Sequence, residues 1–362
     1  MAGTLYAQSS DADAAARDAA RRLDEALRGG STAQTAAPPQ TTRGGAEPRW
    51  VNDPYSAFSR DRYIAAVGHG PNRAEAEARA FAALTSIFGQ SIQSDFEVAT
   101  MYSEAVSRGV LTVSENTQIR DTVVTAASMD ALIGAEIGSV WDSGRGIVYA
   151  LAHLNRERTI AAYSEMVRLN LANIERLTAM SAAQRNTFDG YARYLLAAII
   201  SGINTQYANV VAQAGGPSAS ALNLTNTNAL SLEATNIIRN ITVGVQVQGD
   251  RNNRVRDAFA TVLSGEGLRT QGNNPPYTLT VSVDLSEAHF PNNPNVFCRF
   301  VVSANLVERS TGAVLLPFNL SDRSGHANFD GAVNAALIQI ERQINQRYPP
   351  VFREYIAGLL PN

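Results

Sequence analysis

Hydrophobic positions recur along this chain with two periods, and the elements change where the period changes. Tyr277, Leu279, Val281, Val283 and Leu285 alternate with Thr278, Thr280, Ser282, Asp284 and Ser286. That is a strand with one wet face. Val296, Cys298, Phe300, Val302, Ala304 and Leu306 follow the same rule. So do Val314, Leu316, Phe318 and Leu320 after a Ser310-Thr311-Gly312 turn, and Ile241, Val243, Val245 and Val247 earlier. Val255, Phe259 and Val262 fall at helical spacing, as do Phe329, Val333, Leu337, Ile340 and Ile344. Pro349-Pro350 is expected to end that last helix before a short one carrying Phe352, Tyr355 and Leu359. The order β-α-β-β-β-α predicts helices on an antiparallel sheet over residues 236–362.

A second unit of the same class is predicted over 48–155. A short strand spans Tyr63 to Val67, and Gly68-His69-Gly70-Pro71 reads as a turn. Asn72 is placed to cap a helix, with Glu75 as its capping-box partner. Ala74, Ala78, Phe81, Leu84 and Phe88 give that helix an apolar stripe. Strand patterns return at 92–98, 117–125 and 133–141. Asp142-Ser143-Gly144-Arg145-Gly146 predicts a hairpin turn, and Ile147 to Leu154 a strand buried on both faces. Residues 100–116 fit no single pattern.

Residues 156–235 read as a helical connector and linker. Ile160, Tyr163, Val167, Leu171 and Ile174 line one helix, and a second covers about Tyr191 to Val211. Residues 1–47 carry no core and many breakers, which predicts a disordered tether. Leu5-Tyr6-Ala7 within it fits either the cleavage site of an export signal or an ordinary frayed terminus. The fold class is therefore α+β: two helix-on-antiparallel-sheet domains, a helical connector and a tether.

Composition narrows the chemistry. Thirty basic residues face thirty-three acidic ones, and the 362-residue chain holds no lysine. Lysine-based catalysis is excluded, and the balanced charge argues against nucleic acid as a partner. One cysteine, Cys298, permits no intramolecular disulfide and no cysteine-based zinc site. It lies on the apolar face of its strand and should be buried and inert. The histidines, His69, His153, His289 and His326, are far apart and without H-x-x-x-H spacing. No metal, cofactor or catalytic set is expected, and no apolar run approaches the length of a membrane span.

Five residues stand as binding candidates. Gly68-His69-Gly70 and Asn72 join a strand to a helix N-terminus, where a weak anion site would form. Arg73 occupies the place where a dinucleotide loop needs a small residue. His326, after Asp322-Arg323-Ser324-Gly325, reads as part of a helix-entry loop, since no nucleophile elbow supports a triad. His153 reads as a hydrogen-bonded core or edge histidine.

Trp50-Val51-x-Asp53-Pro54, Tyr63-Ile64-Ala65-Ala66-Val67-Gly68-x-Gly70 and Ala74-Glu75-Ala76-x-Ala78-x-Ala80 together resemble the LPP-type family of twenty-kilodalton membrane-associated lipoproteins. Trp141 and Tyr149-Ala150-Leu151-Ala152-x-Leu154-x-Arg156 fit the family's closing strand. The C-terminal unit, residues 236–362, is more weakly similar to the domain that follows in flagellar assembly protein T, and so to the N-terminal domain of TolB. The resemblance implies a non-enzymatic protein, exported to the periplasm or outer membrane, that scaffolds or assembles envelope structures such as a flagellum. Its partners would be envelope proteins or further copies of itself, with membrane association only through an anchor or a partner. The lipid-carrying cysteine of such proteins has no counterpart here, since the only cysteine is Cys298. A periplasmic module binding a small or glycan ligand in a crevice between the two units is the alternative.

Overall fold

The computed structural model describes residues 41–88, 132, 134–272, 274–291 and 293–359. The strand patterns at 92–98 and 117–125, the ambiguous 100–116 and the first forty residues lie outside them. The chain divides into two compact units. Among described residues, the first takes those up to 88, then 132–176 and 197–227, and the second takes 177–196 and 228–359. The class is α+β, as the patterning predicts.

The first unit holds a four-stranded sheet of β1 (Thr41–Arg43), β2 (Tyr63–Gly70), β3 (Ala135–Asp142) and β4 (Val148–Asn155), in the order β1-β3-β4-β2. β4 is antiparallel to both of its neighbours, whereas β1 runs parallel to β3. The sheet is thus mixed, not antiparallel, and the expected tether already contributes an edge strand before residue 47. Gly144 and Gly146 take positive φ in the β3–β4 turn, where the Asp142 carboxylate accepts from the Gly144 N–H.

Helix α1 (Arg73–Ile87) covers one face of β2 and β4. Asn72 caps it, its Oδ1 accepting from the Glu75 N–H at 2.9 Å. Helix α2 (Arg156–Thr178) follows β4 directly, a short α3 (Ala182–Arg185) comes next, and α4 (Phe188–Gln213) is the most apolar helix described. The connector stretch divides between the units, since α4 gives its start to the second and its remainder to the first. Within the first unit, Asn170 Nδ2 donates to Asn204 Oδ1 at 2.8 Å, and Asn204 Nδ2 donates to the Val167 carbonyl. Buried amides satisfied in this way fix the register of α2 against α4. α4 is, against expectation, long and apolar enough to cross a membrane, but 72% of its most apolar span is buried within the protein. Ser201 and Gly202 interrupt the apolar run without exposing a polar face, because both are buried.

α5 (Thr227–Asn240) spans the boundary expected at residue 235 between the helical connector and the C-terminal domain; Leu230, Ala234, Ile237 and Ile238 are its buried stripe. β5 (Val243–Gln248), β6 (Tyr277–Ala288), β7 (Val296–Glu308) and β8 (Val314–His326) form a sheet in chain order. β6, β7 and β8 are antiparallel, but β5 is parallel to β6. This correction has a simple cause: α6 (Arg254–Gly265) lies between β5 and β6 and returns the chain to the same end of the sheet. β8 also runs six residues past Leu320, so Asp322 to His326 are strand, not a helix-entry loop.

The last helix, α7 (Phe329–Gly358), continues through Pro349 and Pro350 instead of ending there. The carbonyls that those prolines deprive of a donor belong to Asn345 and Gln346, both exposed, so water can satisfy them. Meanwhile Tyr348, Phe352 and Ile356 extend the buried stripe. Arg254–Glu341 and Arg353–Glu266 ion pairs tie α6 and its C-cap to α7. Tyr348 packs edge-on against Phe259 and Phe318, and its hydroxyl is buried without a partner. A buried hydroxyl without a hydrogen bond is destabilising, so Tyr348→Phe should raise stability by about 1 kcal/mol, read from denaturant midpoints.

Candidate functional site

The motif joining β2 to α1 is built for close packing. Ile64, Ala66, Gly68 and Gly70 lie opposite Leu154, Ala152, Ala150 and Val148. This row, small at Ala66, Gly68, Gly70, Ala150 and Ala152, faces α1, whose Ala76 and Ala80 have no exposed surface. A Cβ on Gly68 would fall on the backbone of Ala80 and come within 2.5 Å of the Ala76 carbonyl oxygen. One on Gly70 would sit 2.8 Å from Glu75 Cβ. Both glycines are strand residues, not a turn: the absent side chains let helix and sheet meet backbone to backbone. The alternation of Gly68 and Gly70 with His69 was the available signal for a strand, since period two puts both glycines on one face.

His69 points to the other face. Trp141, Tyr149 and His69 form a cross-strand aromatic row, with ring separations of 5.5 and 5.9 Å. His69 is exposed, and its carbonyl accepts from Arg79. Asn72 is committed to its cap. His326 belongs to the second unit, at the exposed end of β8, with its ring lying over Gly331. Of the five candidates, then, three serve packing and capping in the first unit, and His69 and His326 are exposed on different units.

His153 is half-buried, on the same face of the sheet as His69. Phe58 stacks on it at 4.0 Å, Tyr63 meets it edge-on at 5.6 Å, and its Nδ1 is buried without a hydrogen bond. The expected hydrogen-bonded histidine is therefore an aromatic-boxed one. Burial pushes the imidazole below its ordinary value; the carboxylate of Glu136, its cross-strand partner, opposes this, and Arg158 reinforces it. The native state accordingly binds a proton less readily than the unfolded chain. Stability from this site is complete above pH 6.5 and is lost as pH falls below it toward the lowered native value. His153→Phe should flatten the pH 5–7 dependence of the denaturation midpoint relative to the parent protein.

A cleft of about 610 Å³ opens in the first unit, lined by Arg60, Arg62, Arg156, Asp61 and Glu157 among others. Arg156, the last residue of the family-like motif, is its anchor. Its Nε donates to the Arg60 carbonyl at 3.0 Å, and its Nη1 donates to the carbonyls of Gln213 and Ala214 at 3.2 and 3.1 Å. These last two close the C-terminal end of α4, where a cation is favourable. The Arg60 guanidinium lies over the Tyr55 ring at 4.3 Å. Sequence reasoning placed no site here, because its members come from three separate segments. Cys298 is fully buried and burial raises its thiol pKa, which disfavours the reactive thiolate. Among the described residues, no group of three or more His, Cys, Asp or Glu side chains is placed to hold a metal ion.

Residues 48–155 match the family model of the LPP20 lipoproteins. The match covers Asp53-Pro54, the β2–α1 motif and β3–β4, so this stretch of the first unit is similar to the LPP20 lipoproteins. No curated protein matches the chain. Among solved structures, a minor lipoprotein from Acinetobacter baumannii is similar at 16% identity and a TM-score of 0.26, over 33% of this chain and 95% of that one. A secreted protein from Helicobacter pylori is similar at 11% identity and a TM-score of 0.39, over 79% of this chain and 98% of that one. Both scores are too low to establish a shared fold.

Proposed function

We propose that the protein is exported to the cell envelope and acts there without catalysis, as a scaffold or assembly factor that binds other envelope proteins. The match of residues 48–155 to the LPP20 lipoproteins carries this reading. The geometry is in keeping with it: Gly68 and Gly70 let α1 close onto the sheet and Asn72 caps that helix, so these three motif residues are taken up by the fold. A flagellum-associated role is the finer form of the same proposal. In cells, the protein should fractionate with periplasm or outer membrane, and cross-linking should recover envelope proteins. Recovery of cytosolic enzymes alone would reject the reading, and unchanged motility on deletion would remove its flagellar form.

The cleft of the first unit favours a second reading, a binding module for a small or glycan ligand, with Arg60 and Arg62 in its lining. A thermal shift with soluble envelope glycans that is lost on Arg62→Ala would support it. No shift would end it.

A further inference from the structure

Across the wet face of the second unit's sheet, register places Ser286 of β6, Arg299 of β7 and Arg323 of β8 in one row. Arg299 and Arg323 are directly opposite, so their Cβ atoms lie roughly 5 Å apart and their guanidinium groups project from one surface. Like charges so placed repel, and a sheet ordinarily avoids the arrangement. Both arginines are exposed, and no described carboxylate forms an ion pair with either. The one acid nearby on this face is Asp284, one step along β6 and opposite Val301. Glu287, opposite Cys298, stands on the other face, and it pairs with His289 at 3.5 Å.

Arg323 is also held in place. Its guanidinium lies 4.4 Å above the Phe290 ring and 6.0 Å from Phe297, and the two rings meet edge-on at 4.9 Å. Gly325, opposite Phe297, leaves the room this ring occupies. Stacking restricts the side chain before any ligand arrives, which lowers the entropy cost of binding. Two forks of N–H donors and a hydroxyl in one row suit a tetrahedral oxyanion carrying two or more acceptor oxygens.

We infer that Ser286, Arg299 and Arg323 form an anion-binding row that takes a phosphate group, which offsets the Arg299–Arg323 repulsion. The inference stands apart from the partner-binding reading above. Thermal unfolding of the full chain tests it, with inorganic phosphate compared to chloride at equal ionic strength. Phosphate should raise the midpoint of the second unit by about 2–4 °C over chloride. Arg299→Gln should abolish that difference, while leaving the midpoint in chloride unchanged or higher because the repulsion is gone. Equal midpoints in the two salts, or a phosphate shift that survives Arg299→Gln, would overturn the proposal. Vesicles of phosphatidylglycerol and of phosphatidylcholine then separate the sources. Retention by the anionic vesicles, lost in Arg299→Gln, assigns a lipid headgroup, and a phosphate shift without retention assigns a soluble phosphate ligand.

Discussion

Gly68→Val is expected to unfold the first unit while leaving the second folded. The new side chain would start on the backbone of Ala80 and beside the carbonyl of Ala76, and neither can move without dislodging α1 from β2. Overpacking a core costs about 1–3 kcal/mol when side chains can yield, and more when backbone must. A loss of about 3 kcal/mol or more follows, measured by hydrogen exchange of the β2 and β4 amides with the β6 and β7 amides as internal control. His69→Ala, one residue on, removes an exposed ring and should change stability by no more than about 0.5 kcal/mol. If both variants proved equally mild, close approach of α1 would not be what the glycines provide.

Arg156→Ala should be the next most damaging change. It removes three donated hydrogen bonds, leaving the Gln213 and Ala214 carbonyls without a partner and the loop at Arg60 without its tie. Hydrogen bonds from a charged donor contribute about 1.5–3 kcal/mol each and are not additive, so a loss of about 2–4 kcal/mol is expected. Arg156→Lys should recover little, because an ammonium on a flexible stem cannot reach all three carbonyls at once. Urea midpoints of the three proteins decide the matter; full recovery by lysine would mean that charge alone suffices.

Much of the strand architecture was legible in the residues. The alternation from Tyr277 to Leu306 shows on the page because a strand with one wet face must place polar residues every second position. The cap at Asn72, the turn glycines 144 and 146 and the burial of Cys298 were legible for similarly local reasons. The misreadings had non-local causes. Gly68-His69-Gly70 looks like a turn because glycine has two uses, freedom of backbone and absence of a side chain. Only the proximity of Ala76 and Ala80 shows which applies. Pro349-Pro350 looks like a helix end because proline removes donors, and only the exposure of Asn345 and Gln346 shows that the loss is tolerable.

By itself, then, the order of residues determined the α+β class, the face that β6, β7 and β8 bury and the absence of lysine chemistry, since these follow from side-chain type and period. Tertiary structure decided the rest. It made β5 parallel to β6, set Arg156 across three carbonyls from distant segments, and brought Arg299 opposite Arg323. Each depends on which backbone atoms meet across the fold, and contacts between residues far apart in sequence leave no period in the chain.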